Sequence, residues 1–211
     1  MNELEHPAYG RLRTVNPLIS VVLQRNPGMM TLDGTNSWVL RAPDAAGCVI
    51  VDPGEDDAEH LRLLAECAPV ELVLITHGHH DHVGAAESFA RMINAPVRAL
   101  DPALCRDGEP LTDGLTITGG GLHIEVRHTP GHTDDSVSLM LTHPRHAAVL
   151  TGDTVLGAGT TVLSDLGDYL DSLRLLENLL DAMPANTVGL PGHGPELRRP
   201  LTTVREYLAH R

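Results

Sequence analysis

The chain is poor in aromatics, cysteine and positive charge, and each shortage excludes something. Of 211 residues only one is Trp, one Phe and three Tyr. The core must therefore be built from Leu, Val, Ile and Ala, and a surface for stacking nucleic-acid bases lacks its material. The three cysteines, Cys48, Cys67 and Cys105, are odd in number, and their spacing matches no zinc or redox pattern. Cys48 falls in an expected strand and Cys67 in an expected helix, where a thiol serves as a small buried hydrophobe. No apolar run approaches the length of a membrane span. The polar, acidic start Met1-Asn2-Glu3-Leu4-Glu5 is not a secretory signal, so a cytoplasmic protein with no membrane partner is expected. Fifteen basic residues face 28 acidic ones, a net charge of −13. Phosphate backbones are bound largely through Lys and Arg, so no duplex nucleic acid is expected as a partner.

What the chain does have is histidine in clusters. Thr76-His77-Gly78-His79-His80-Asp81-His82 follows the apolar run Val70-Glu71-Leu72-Val73-Leu74-Ile75, which reads as a buried strand. A strand that ends in imidazoles and a carboxylate presents them at a sheet edge, and these donors suit Zn2+ and similar cations. Three further sites repeat the pattern of an apolar segment, then Gly, then His or Asp. They are Pro130-Gly131-His132, Thr151-Gly152-Asp153 and Pro191-Gly192-His193. Glycine permits the tight turn and the close approach of backbone to an ion. One such site alone is an ordinary turn; four in one chain point to a shared metal centre.

The order H-x-H-x-D-H, G-H, G-D, G-H resembles the metallo-β-lactamase fold superfamily, from about Leu18 to about Pro195. Within it, Thr31-Leu32-Asp33-Gly34-Thr35-Asn36-Ser37-Trp38 and Gly157-Ala158-Gly159-Thr160-Thr161 resemble the branch of the lactamase-β-like endoribonuclease and its bacterial relatives. The resemblance implies two metal ions, with His77, His79 and His132 on the first. Asp81, His82 and His193 take the second, and Asp153 bridges. Two Zn2+ are the expected cofactors, with Mn2+ or Fe2+ as alternatives. A hydroxide bridging the two ions would be the nucleophile, and Asp81 is the expected catalytic proton relay. His80 occupies a variable position in the pattern and is expected to face the cleft or solvent. His123, His128, His143 and His146 are expected at the surface. Asp52, Asp134 and Asp135 are candidates to hydrogen-bond a ligand histidine, with loop roles as the alternative.

Hydrophobic periodicity gives the rest of the organisation. Strands are expected at 19–23 and 37–41 around the Asp33-Gly34 turn, then at 48–51, 70–75 and 97–100. In the second half they are expected at 115–117, 122–127, 136–141, 147–150 and 188–190. Helices are expected at 57–67, 83–93, 168–182 and 201–210. Residues 1–17 read as a loose lead-in. Strands then mixed strands and helices, twice over, give an α+β fold. It is an αββα sandwich, two mixed sheets packed face to face with helices outside, in a single domain over residues 1–211. The resemblance implies the same fold. The resembling nuclease continues into a helical tail past the segment that matches Tyr207-Leu208-Ala209-His210-Arg211, and that tail is expected to be absent here or cut away.

The reaction expected is therefore metal-dependent hydrolysis, with two substrate classes open. One is the phosphodiester of single-stranded RNA, carried by the branch resemblance, with Arg198, Arg199 and Arg205 as a candidate basic patch. The other is a small thioester, lactone or β-lactam, to which an acidic surface is no obstacle. A redox reading fails because His79 stands where di-iron relatives carry Glu. Oligomeric state stays open.

Overall fold

The computed structural model describes residues 6–210; the acidic start Met1–Glu5 and the terminal Arg211 lie outside them. Two sheets stack face to face, each with helices on its outer side. The first has the order β1 (Leu12–Asn16), β2 (Ile19–Leu23), β3 (Asn36–Leu40), β4 (Cys48–Val51), β5 (Val70–Leu74), β6 (Val97–Arg98). The second runs β11 (Val188–Pro191), β10 (His146–Gly152), β9 (Val137–His143), β8 (Leu122–His128), β7 (Thr116–Gly119). Both are mixed: β4, β5 and β6 run parallel, β10 and β11 run parallel, and the other pairs are antiparallel.

Period-two alternation sorts the strand side chains into layers. Val49 and Val51 of β4, Leu72 and Leu74 of β5, Leu139 and Leu141 of β9 and Ala148 and Leu150 of β10 meet between the sheets. Their neighbours face outward. Cys48, Ile50 and Val73 pack under α1 (Ala58–Ala65) and α3 (Ala86–Ile93), through Leu61, Leu64 and Phe89. Met140 and Val149 pack under α4 (Leu166–Ala182) and α5 (Pro200–His210), through Tyr169, Leu173, Leu176 and Val204. With so few aromatics, the aliphatic strands fill the core as expected. α1 and α4 start where the sequence offers a cap: Asp57 accepts from the His60 amide, and Asp165 from the Asp168 amide.

Most boundaries fall within a few residues of the periodicity reading, and three differences go further. Residues 12–16, expected as lead-in, form edge strand β1 paired antiparallel to β2. This strand is mostly exposed, so burial imposes no alternation for the sequence to display. The helix expected at 83–93 is two, α2 (His80–Val83) and α3, because the chain turns at Gly84 between them. Cys67 lies just beyond α1, buried but not helical. Among the described residues no helix is long and apolar enough to cross a membrane.

Parallel strands bring like ends together. The C-terminal ends of β4, β5, β8, β10 and β11 deliver Asp52, His77–His82, His132, Asp153 and His193 to one edge of the sandwich. Two backbone hydrogen bonds tie the sheets together at that edge, Val137 N to Thr76 O and Asn36 N to Gly192 O, both 2.8 Å.

Candidate metal centre

All seven residues expected as ligands converge. His77 Nε2, His79 Nδ1 and His132 Nε2 form a triangle with sides of 3.1, 3.0 and 3.3 Å. Nitrogen donors held tetrahedrally at Zn–N distances of ~2.0–2.1 Å would stand roughly 3.3 Å apart, so the triangle fits one cation. Beside it, His82 Nε2, His193 Nε2 and Asp81 Oδ2 form a second. His82 is 3.3 Å from His193 and 3.4 Å from Asp81, and His193 is 3.1 Å from Asp81. Asp153 stands between them. Its Oδ2 is 3.3 Å from His193 and 3.7 Å from His132, and its Oδ1 is 3.5 Å from His82. That Oδ1 is buried and has no hydrogen-bond partner. An ionised oxygen so placed is costly unless a cation meets it, so the donor set fits a two-metal centre.

The electrostatics differ across the site. Burial holds His77 well below the usual imidazole range, helped by the neighbouring His82, His132 and His79 against the pull of Asp153. Burial likewise lowers His132. Both are therefore neutral donors at neutral pH. At His193 burial acts downward too, but hydrogen bonds to Asp153 and Asp81 outweigh it and raise the pKa to about 9. His82 is also raised, Asp153 and Asp52 overcoming burial. Asp81 and Asp153 resist burial in turn and stay ionised, held low by His82 and His193.

His82, His132 and His193 are each aimed by a contact on the far side of the ring. Asp52 Oδ2 accepts from His82 Nδ1 at 2.9 Å, while its Oδ1 and Oδ2 accept the Thr76 amide and hydroxyl at 2.8 and 2.6 Å. Asp52 thus takes the supporting role open to it. Asp134 and Asp135 do not take theirs. His132 Nδ1 sits 2.7 Å from the Val162 carbonyl and 2.8 Å from the Thr161 hydroxyl, and Asp134 offers only its main-chain carbonyl, to His128. The loop after β10 reaches His132, whereas Asp134 is exposed and the Asp135 carboxylate lies against Gly78 of the histidine cluster. His193 Nδ1 faces the Gly34 carbonyl at 3.1 Å, and the Thr35 hydroxyl donates to Asp81 Oδ2 at 3.3 Å.

The two segments that carried the branch resemblance are thus part of the frame of the centre. Asn36 Nδ2 donates to the carbonyls of Pro191 and Gly194, and Trp38 Nε1 to that of Pro191, clamping the His193 loop. Gly157 N donates to the His193 carbonyl. At Gly192 a Cβ would lie 2.2 Å from Asp153 Oδ1 and 2.6 Å from His82 Cε1, so only glycine fits beside these two ligands. At Gly131, φ is +120° and a Cβ would meet the Tyr169 backbone at 2.4 Å, so glycine alone lets the His132 loop lie against α4.

His80 is exposed and turned away from the triangles, and His123, His128, His143 and His146 lie outside the clusters. Arg205 does not extend a basic patch with Arg198 and Arg199: its guanidinium pairs with Glu177 at 2.8 Å and Asp181 at 3.0 Å.

The fold and the His/Asp clusters define a metal-dependent hydrolase. The chain belongs to the metallo-β-lactamase superfamily. Residues 30–108 match the Metallo-beta-lactamase superfamily. The chain is similar to a beta-lactamase-like protein 2 homolog of Drosophila melanogaster, 33% identical over 210 residues, covering 90% of this chain and 68% of that protein. It is also similar to an atrochrysone carboxyl ACP thioesterase of Aspergillus fumigatus, 32% identical over 197 residues, covering 89% of this chain and 59% of that one. A beta-lactamase domain protein from Burkholderia ambifaria has the same fold, with a TM-score of 0.79 at 23% identity over 99% of this chain and 78% of its own.

Proposed function

We propose that the protein hydrolyses a small thioester at a two-cation centre. The observation that carries this is the similarity along 89% of the chain to an enzyme named as an acyl-carrier-protein thioesterase. The convergence of all seven candidate ligands supports it. His77, His79 and His132 would hold the first cation and Asp81, His82 and His193 the second, with Asp153 between. We assign Zn2+ to this His-rich donor set, with Fe2+ or Mn2+ as the alternatives at the carboxylate-bearing position. When bound, two cations supply Lewis acidity for a carbonyl and acidify a water.

The chain's own groups do the rest. Asp81 has 20% of its side chain exposed against 9% for Asp153, so it is the carboxylate best placed to take a proton from water or deliver one to a leaving thiolate. Thr35, donating to Asp81 Oδ2, fixes the direction of that carboxylate. The acidic balance sets no barrier to a neutral thioester, but it opposes single-stranded RNA, and the pairing of Arg205 with Glu177 and Asp181 removes part of the patch that RNA would need.

Release of thiol from a panel of acyl thioesters by metal-replete protein tests the reading. Asp81→Asn is prepared identically, and fluorescent single-stranded RNA, a lactone and a β-lactam are run alongside. Thiol release by the wild type with loss in the variant is the expected result. Cleavage of RNA alone would replace this reading with a nuclease. Turnover of only the lactone or β-lactam would keep the hydrolase and change the substrate.

A further inference from the structure

One buried polar pair lies outside the ligand set and its immediate supports. Ser37 of β3 is fully buried, and His60 of α1 is 4% exposed. Their side chains meet at 2.8 Å between Ser37 Oγ and His60 Nε2. Ser37 stands opposite Val22 of β2, and Leu23 and Leu63 lie beside His60. Two polar side chains in such a place cost stability unless they are paired, and an apolar pair of the same volume would pack there without that cost.

Their contacts lead to the metal centre. Ser37 Oγ donates to the main-chain carbonyl of Asp52 at 2.5 Å. A hydroxyl has one proton, so with that proton on Asp52 O, His60 Nε2–H donates to Ser37 Oγ. Asp52 is a non-glycine residue with φ +54°, a left-handed conformation that an L side chain adopts at a cost. The kink aims the Asp52 carboxylate at Thr76 and His82 Nδ1. An ordinary extended residue at the end of β4 would send that carboxylate elsewhere. The Asp52 amide is held by the Leu74 carbonyl at 2.9 Å, so Ser37 holds the other end of the same residue.

We propose that Ser37 and His60 are positioning residues for the second cation position. The pair locks the left-handed turn at Asp52, and Asp52 then sets the direction of His82 Nε2 towards Asp81 and His193. The first position meets this chain of contacts at one point, His77, whose Nδ1 lies 3.1 Å from the Thr76 hydroxyl that donates to Asp52. His132 is aimed by Val162 and Thr161, from the opposite sheet's loops. The inference rests on the reading that Asp81, His82 and His193 hold a cation.

Calorimetric titration of metal-free protein with Zn2+ tests it, with the unfolding temperature of each metal-free variant measured alongside. Asp81→Asn identifies which binding event belongs to the second position. In Ser37→Ala and His60→Leu the second event should weaken by roughly tenfold or more, the scale of supporting contacts at metal sites, with the first, reached only indirectly through Thr76 and His77, weakened clearly less. His60→Gln keeps an N–H donor for Ser37 and should recover much of the loss; it also serves as the milder variant if His60→Leu does not fold. Unchanged second-site affinity in folded Ser37→Ala, or equal loss at both positions, overturns the proposal alone. A wild type that binds a single equivalent overturns the two-cation reading and the proposal with it.

Discussion

The two cation positions differ in charge, exposure and support. The first is three imidazoles, with no carboxylate of its own and with His79 exposed. The second carries Asp81, and its two histidines are buried and raised in pKa by carboxylates. Behind His82 stands an acid, Asp52; behind His132 stand a carbonyl and a hydroxyl. A carboxylate behind an imidazole makes it a stronger donor than a neutral acceptor does. The proposed second position thus carries more negative charge than the first. Asp153 lies within 3.7 Å of candidate ligands from both, His132 and His193, and is the carboxylate proposed to join them.

Asp153→Ala should erase that comparison and give the largest effect. With the shared carboxylate gone, metal content measured by elemental analysis should fall from two equivalents towards one or none. Hydrolysis should fall by orders of magnitude. Two tightly bound equivalents in this variant would mean that Asp153 bridges nothing.

A pair of substitutions sharpens the contrast. Asp81→Asn should keep the fold and the first binding event, weaken the second, and lower kcat by roughly 10²–10⁴-fold, the usual scale for removing a proton-transfer group. His79→Ala should do the reverse to the binding events, because His79 belongs to the first triangle alone. If both variants weaken the same event, the division into two positions is wrong.

A smaller effect comes from the support of the second position and is read in stability. Burial depresses the His60 pKa from 6.5 to about 4, against the upward pulls of Asp57 and the Pro53 carbonyl. Between those values the unfolded chain binds the proton and the folded one does not. This contribution is intact above pH 6.5 and is lost as pH falls towards 4, on the order of 3 kcal/mol in total. Denaturant unfolding of metal-free wild type and His60→Gln across that window should show the wild type losing stability more steeply. Parallel slopes would mean that His60 is protonated in the fold.

The sequence showed the layers of the sandwich where strands are buried on both faces, as in β4, β5, β9 and β10, because burial enforces a pattern. It missed β1, an exposed edge strand under no such constraint. It located all seven candidate ligands because four lie within six residues at one strand end and the others follow Gly at strand ends. It left the supports open or wrong. Asp134 and Asp135 neighbour His132 in the chain but do not hold it, while Thr161 and Val162 do.

The chain's local pattern was enough to name the candidate donors and the order in which the strands deliver them, since a short motif carries its own proximity. Tertiary structure alone decided what stands behind each donor. Asp52 and His82 are 30 residues apart, His132 and Val162 are 30 apart, and Asn36 and Pro191 are 155 apart. Contacts over such separations leave no local pattern, because they are set by which strand ends the two sheets bring to the same edge.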